Sequence, residues 1–160
     1  MEPAPIPEGV DFTTEIENRS PRVINEKEVK VLNVYAQHEP GAPPQHFVLL
    51  RDNKGRRITI YVGQFEALAI SLAVEGEMTP RPMTHDLVMA LIEKFGAVID
   101  RIVIDDLWNE TFYAKICMTK PDGTTLDLDA RSSDAIAIAI RAKAPIYMSE
   151  TVIEATLASS

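Results

Sequence analysis

A single cysteine, Cys117, stands in the 160-residue chain. An internal disulfide is therefore excluded, and with no Cys or His pair at ligand spacing so is a zinc cluster. Cys117 lies in an alternating stretch that reads as a strand, where a small buried thiol in a reducing compartment is expected. Aromatic residues make up only 6% of the chain. Phe95, Trp108, Phe112 and Tyr113 are expected to fill the core or a subunit interface rather than stack on bases. Positive charge is also scarce: 16 Lys and Arg face 24 Asp and Glu, for a net charge of −8. A polyanion is repelled by such a surface as a whole, so any nucleic-acid contact must be local. No apolar run approaches the roughly 20 residues that span a bilayer, and the start, MEPAPIPEGVDF, has no basic segment leading into an apolar one. A cytoplasmic protein without membrane contact is expected. Glycine loops of the Walker or dinucleotide type and the G-x-S-x-G elbow are missing, which excludes those nucleotide-binding and hydrolase classes.

What is present fits one globular unit with a tail. At 46% hydrophobic, the chain can bury one good core but not two. Residues 1–27 carry Pro3, Pro5, Pro7 and Pro21 among acidic and polar residues, and predict a flexible arm ahead of a domain over 28–160. Val29, Val31, Val34 and Tyr35 open a first strand. Strands over 46–51 and 57–62 follow, joined through the turn residues Asp52, Asn53, Lys54 and Gly55. Helices are predicted over 65–74 and 84–95, the second ended by Gly96. The order then restarts with strands over 98–107, 111–118 and 124–129, the last two joined at Pro121, Asp122 and Gly123, and with helices over 132–142 and 150–157. The alternating Ala and Ile of 135–140 fit a strand by period alone. Their alanine content and the Ser132-Ser133-Asp134 cap signal favour helix. The expected class is a single α+β domain of mixed, mainly antiparallel strands.

Gapless alignment of Gly55 with Gly123 pairs Ile58 with Leu126, Ile60 with Leu128, Glu66 with Asp134, Ala67 with Ala135, Ala69 with Ala137 and Ile70 with Ile138. A duplicated unit of three strands and two helices explains this; so does the likeness of any two hairpins followed by Ala-rich helices. If the duplication is real, Glu66, His85, Arg131 and Asp134 converge on one site.

The chemistry-bearing residues lie at element ends. Thr84 sits where a helix N-cap is expected, and Asp86 in the first turn suits the helix dipole. His85 between them has the right proton affinity for a general base, and the unpaired N–H groups of a helix start can hold phosphate. Asp127 and Asp129 share a strand face and Asp134 opens a helix. With Glu66, the pair Asp129 and Asp134 forms a candidate ligand set for Mg²⁺ or Mn²⁺. The other reading has Asp134 capping its helix, Arg131 pairing with a carboxylate and the remaining acids facing water. Arg51, Lys54, Arg56 and Arg57 form a dense positive patch, read either as a phosphate contact or as a solvated hairpin tip.

Four segments carry a resemblance: residues 81–87 (Arg-Pro-Met-Thr-His-Asp-Leu), 129–135 (Asp-Ala-Arg-Ser-Ser-Asp-Ala), 110–114 (Glu-Thr-Phe-Tyr-Ala) and 144–147 (Ala-Pro-Ile-Tyr). Over roughly Val29 to Val152 the chain resembles the bifunctional nuclease domain family. One departure stands out, Ser132 where that family has proline, which removes a fixed φ beside Arg131. The resemblance implies a bacterial, cytoplasmic homo-oligomer, by default a dimer, that hydrolyses phosphodiester bonds in DNA and RNA. The catalytic candidates are His85, Asp86, Asp129 and Asp134, which lie in the resembling segments, and Glu66, which enters through its alignment with Asp134. Arg81, Thr84, Arg131 and Ser133 are implied on the substrate. The alternative reading of the same residues is a non-catalytic, oligomeric interaction or regulatory module.

Overall fold

The computed structural model describes residues 25–158. The expected arm over 1–27 lies outside them except at its end, where Glu26 and Lys27 already belong to a strand. The elements run β1 (Glu26–Gln37), β2 (Gln45–Asp52), β3 (Arg57–Val62), α1 (Gln64–Glu75), α2 (Thr84–Lys94), β4 (Val98–Trp108), β5 (Thr111–Thr119), β6 (Thr125–Arg131), α3 (Ser132–Ala142), β7 (Ile146–Ser149) and α4 (Glu150–Ala158). Together they form one α+β domain around a seven-stranded sheet of order β3-β2-β1-β7-β4-β5-β6. Its neighbouring strands are antiparallel except β4 and β7.

Strand β7 has no counterpart in the sequence reading. Four residues are too few to show a period, yet Ile146 pairs with Val29 on one side and Ile102 on the other. This short segment thereby joins two three-stranded meanders. The meanders match in the register of the gapless alignment. Asp52 N–H donates to Arg56 O at 3.1 Å and Lys120 N–H to Thr124 O at 2.8 Å. Gly55 and Gly123 both adopt φ 82°, a left-handed turn conformation that glycine takes without a Cβ penalty. Both units then enter a helix directly, and beyond these helices the halves diverge: the first continues into α2, the second into β7 and α4.

Alternation along each strand sends Val48, Leu50, Ile58, Ile60, Ile102, Ile104 and Met148 to one face of the sheet, where they are buried under the helices. Each such side chain contributes roughly 1.5–3 kcal/mol on burial. Ala135, Ile136, Ala137, Ile138 and Ala139 form the buried stretch of α3, which packs against α1, α2, β4 and β5. A helix with neighbours on most sides needs apolar residues all round. The polar residues of α3 are confined to its two ends, Ser132, Ser133, Asp134 and Arg141, and small Ala beside branched Ile fills the stretch between them. Phe112 and Tyr113 are half-buried, but Phe95 and Trp108, expected in the core or an interface, are 77% and 67% exposed.

The basic hairpin does not form one patch. Arg56 folds back to Asp52 at 2.7 Å and across to Glu150 at 2.6 Å, fastening the hairpin to the first turn of α4. Asp52 is buried and also accepts the N–H groups of Lys54 and Arg56, each at 2.9 Å. Burial alone would raise its carboxyl, but the Arg56 contacts outweigh that and hold it below the usual value. Arg51 and Arg57 remain outside this arrangement, exposed and opposite one another.

Candidate active site

The starts of α1, α2 and α3 meet beside edge strand β6. Glu66 and Asp134 are each the third residue of their helices, and Arg131, the residue before α3, lies between them. Its guanidinium donates from Nη1 to Glu66 Oε1 at 2.9 Å, from Nε to Asp134 Oδ2 at 2.7 Å, and from Nη2 to Asp134 Oδ1 at 3.1 Å. From α2, His85 Nε2 reaches the same Asp134 Oδ1 at 2.9 Å. Glu66, His85, Arg131 and Asp134 are thus one connected network. The first two are paired, through Arg131 and Asp134, with residues far away in the chain.

Room for it is built into the backbone. Gly63, the N-cap of α1, stands where the second unit has Arg131, and a Cβ on it would collide with the Glu66 carboxylate. Ser132 occupies the first turn-forming position of α3. Proline is favoured there because its missing N–H would have no helical partner anyway, and the helix starts at this position with serine as well. Arg131 is fixed by its two carboxylates.

Electrostatically the network is anchored at Asp134. Burial pushes its carboxyl up, but hydrogen bonds from Arg131 and then His85 hold it below the usual value. It is an ionised acceptor, so the shared proton belongs to His85 Nε2, and in the neutral ring Nδ1 is the basic nitrogen. Arg131 is raised in turn, first by Asp134 and then by Glu66; its side chain remains 66% exposed.

The network forms one end of a cavity of about 1010 Å³, at the upper end of the range of small-molecule sites. Thr84 also lines it; Asp127 and Asp129 border it from edge strand β6, but the register turns their side chains to the other face of the sheet, with Cys117 and Lys115. Most of its wall is apolar: Phe65, Val88, Ile116, Leu126, Leu128 and Ile138. Sequence reasoning missed these. The one available signal was Leu126 and Leu128 alternating with aspartates on a strand, where Leu128 is left 48% exposed because β6 is at the sheet edge.

Other expected site residues take different roles or lie elsewhere. Thr84 is the first residue of α2, not its cap; Met83 is the N-cap, and its N–H donates to Asp86 at 2.9 Å. The other Asp86 oxygen accepts from Arg141 Nε at 2.7 Å. The Arg141 hydrogen bond and then the Met83 N–H keep that carboxyl low, so Asp86 is outside the network and serves the helix start. Ser133 is buried on α3 and Arg81 is exposed on the loop before α2; neither lines the cavity. Neither α1 nor α3 has a side-chain N-cap bond, so Asp134 does not cap. As for a metal, the Arg131 guanidinium stands between Glu66 and Asp134. Among the described residues no three His, Cys, Asp or Glu side chains converge to hold one. The set Glu66, Asp129 and Asp134 therefore does not fit Mg²⁺ or Mn²⁺ as arranged. Cys117 is half-buried, and burial, then Asp127, pushes its thiol up to about 11. It is no nucleophile at neutral pH.

Comparison with known proteins gives these residues a setting. The family described as the bifunctional nuclease domain matches residues 48–160. An uncharacterised protein of Mycobacterium tuberculosis is 38% identical over 127 residues, which are 79% of this chain and 73% of that one. Bifunctional nuclease 1 of Oryza sativa subsp. japonica is 26% identical over 113 residues, 68% of this chain and 34% of its own. Bifunctional nuclease 2 of the same plant is 28% identical over 120 residues, 72% and 37% respectively.

Proposed function

Because the chain belongs to the bifunctional nuclease domain family, we propose that it is a phosphodiesterase hydrolysing DNA, RNA or both in this cavity. The observation that carries the reading is the Asp134–His85 pair at a cavity that opens to solvent. With Nε2–H held by Asp134, His85 Nδ1 takes a proton from water as the water oxygen attacks phosphorus, and the ester oxygen departs with the bridging electron pair. Arg131, two-thirds exposed, faces the charge that develops on the phosphoryl oxygens. Glu66 holds Arg131 from the other side and is a positioning residue. With the Arg131 guanidinium seated between Glu66 and Asp134, His85 and Arg131 carry the step themselves; Mg²⁺, Mn²⁺ and EDTA arms of the assay test whether a metal adds to it.

The test is cleavage of labelled single- and double-stranded DNA and RNA by purified protein beside folded His85→Ala and Asp134→Asn variants. A fall of about 10²–10⁴-fold in both is expected. Activity that is absent, or unchanged in both variants, sinks the hydrolytic reading.

One observation favours a second reading, a non-catalytic module: the four network residues already satisfy one another. In either case we infer a homodimer, supported by the open edge strands β3 and β6 and by Leu87 and Leu91, half-exposed one turn apart on α2. A cytoplasmic setting suits the single reduced cysteine. Among the described residues no helix is long and apolar enough to cross a membrane.

A further inference from the structure

The face of the first meander turned away from the helices carries an arrangement the cavity does not use. Register places Lys30, Arg51 and Arg57 side by side across β1, β2 and β3. All three are exposed, and among the described residues none makes an ion pair. Glu28, two residues from Lys30 on the same face of β1, makes none either. In a chain of net charge −8, three adjacent unpaired cations are an unbalanced local field. On the same face Tyr35, Phe47 and Tyr61 form a second cross-strand row. Tyr35 and Phe47 stack with ring centroids 5.5 Å apart, and Phe47 and Tyr61 lie 5.9 Å apart. Tyr35 is 44% exposed and Tyr61 63%. The rows are four residues apart along β2, roughly 13 Å at the usual rise of a strand. Between them lie Asn33, Leu49 and Thr59, which carry no charge.

We propose that this face is a binding platform for single-stranded nucleic acid, with bases stacking on Tyr35 and Tyr61 and the backbone phosphates held by Lys30, Arg51 and Arg57. Charge complementarity selects a polyanion. The aromatic row selects one with exposed flat bases, because stacking needs an unpaired base face and a duplex hides its own. Phe47, between the tyrosines, fixes their rings. The platform stands near the β3 edge, whereas the cavity lies by β6 on the other face of the sheet. It therefore does not rest on the hydrolytic reading: it binds a strand whether or not the cavity cuts one.

The experiment is fluorescence anisotropy of labelled oligo-dT, oligo-rU and a DNA duplex with the full chain in EDTA, with cleavage followed separately. Single strands of either sugar should bind and the duplex should not; the tighter of the two names the preferred strand. Tyr61→Ala should weaken binding about tenfold or more, while Tyr61→Trp retains it. Arg51→Gln with Arg57→Gln should reduce the slope of log K against log salt by about 1.4, at roughly 0.7 per phosphate contact. Binding by Tyr61→Ala and by the double arginine variant that equals the parent, with both proteins folded by circular dichroism, overturns the platform. So does a parent dimer that Tyr61→Ala dissociates while oligonucleotide binding is unchanged, since the face then joins two copies of the chain. Loss of cleavage in His85→Ala with strand binding intact separates this site from the cavity.

Discussion

The two meanders share hairpin register and strand lengths to within one residue, but not the chemistry of their outer faces. Where the first has Phe47, Leu49, Arg51, Thr59 and Tyr61, the second has Lys115, Cys117, Thr119, Asp127 and Asp129 at the aligned positions. In the second half Lys115 is satisfied by Asp105 at 2.8 Å and Thr119 by Asp100 at 2.7 Å, and Arg101 lies over the Tyr147 ring and pairs with Glu26. In the first half Lys30, Arg51 and Arg57 make no ion pair among the described residues, and the stacked Tyr35 and Tyr61 keep exposed rings. A repeated backbone thus fixes where side chains point, while the residue types decide whether a face is closed on itself or open to a ligand. The inner ends diverge less. Glu66 and Asp134 keep the same place in their helices and grip the same Arg131 from opposite sides.

That near-symmetry can be broken at unequal strength. Asp134 bonds both Arg131 and His85, whereas among the described residues Glu66 bonds Arg131 alone, so on the hydrolytic reading Asp134→Asn should lower cleavage about 10²-fold or more. Glu66→Gln should lower it only several-fold; equal losses in kcat would mean that Glu66 acts on the reaction directly. Asp52 and its counterpart Lys120 compare the two hairpin turns. Asp52→Ala takes one of two carboxylates from Arg56, which keeps Glu150, and leaves the Lys54 and Arg56 N–H groups without their side-chain acceptor; it should cost about 2 kcal/mol in urea unfolding. Lys120→Ala, at an exposed position, should stay within about 0.5 kcal/mol.

Acid sharpens the same contrast. Asp52 and Asp134 both sit below their ordinary values in the fold. Their stabilisation is complete above the unfolded value near pH 4 and is lost as pH falls through the lower folded values. Denaturation midpoints should therefore drop below about pH 4, and Asp52→Asn, less stable at neutral pH, should flatten that drop. The smallest effect is at Cys117, aligned with Leu49. With its thiol near 11, about one part in a thousand is thiolate at pH 8, and iodoacetamide should modify it far more slowly than free cysteine; labelling at the free rate would show an open second face.

Much of the site was legible because its residues sit at element ends that local signals mark. The Gly55 and Gly123 turns set the repeat register, and the register alone placed Glu66 against Asp134. Local signals also misled by a residue or more. Thr84 looks like a cap but Met83 is one, because Asp86 reaches back from the third position. Ser133, polar and inside a motif, is buried. Arg56 reads as part of a basic run, and only Glu150, far away in the chain, takes it out.

By itself the sequence determined the α+β class, the two hairpins and their turns and the helical nature of 132–142, because alternation, glycine turns and cap signals are short-range properties; the candidate repeat only suggested that Glu66, His85, Arg131 and Asp134 meet. Tertiary structure alone decided that Ile146–Ser149 joins the two halves as β7, that the edge position of β6 opens an apolar cavity, that Arg131 occupies the space between two carboxylates, and that three cations and three aromatics line up across strands. Each of these depends on which strand lies beside which, and pairing partners are chosen by burial of the whole inner face rather than by any segment's own pattern.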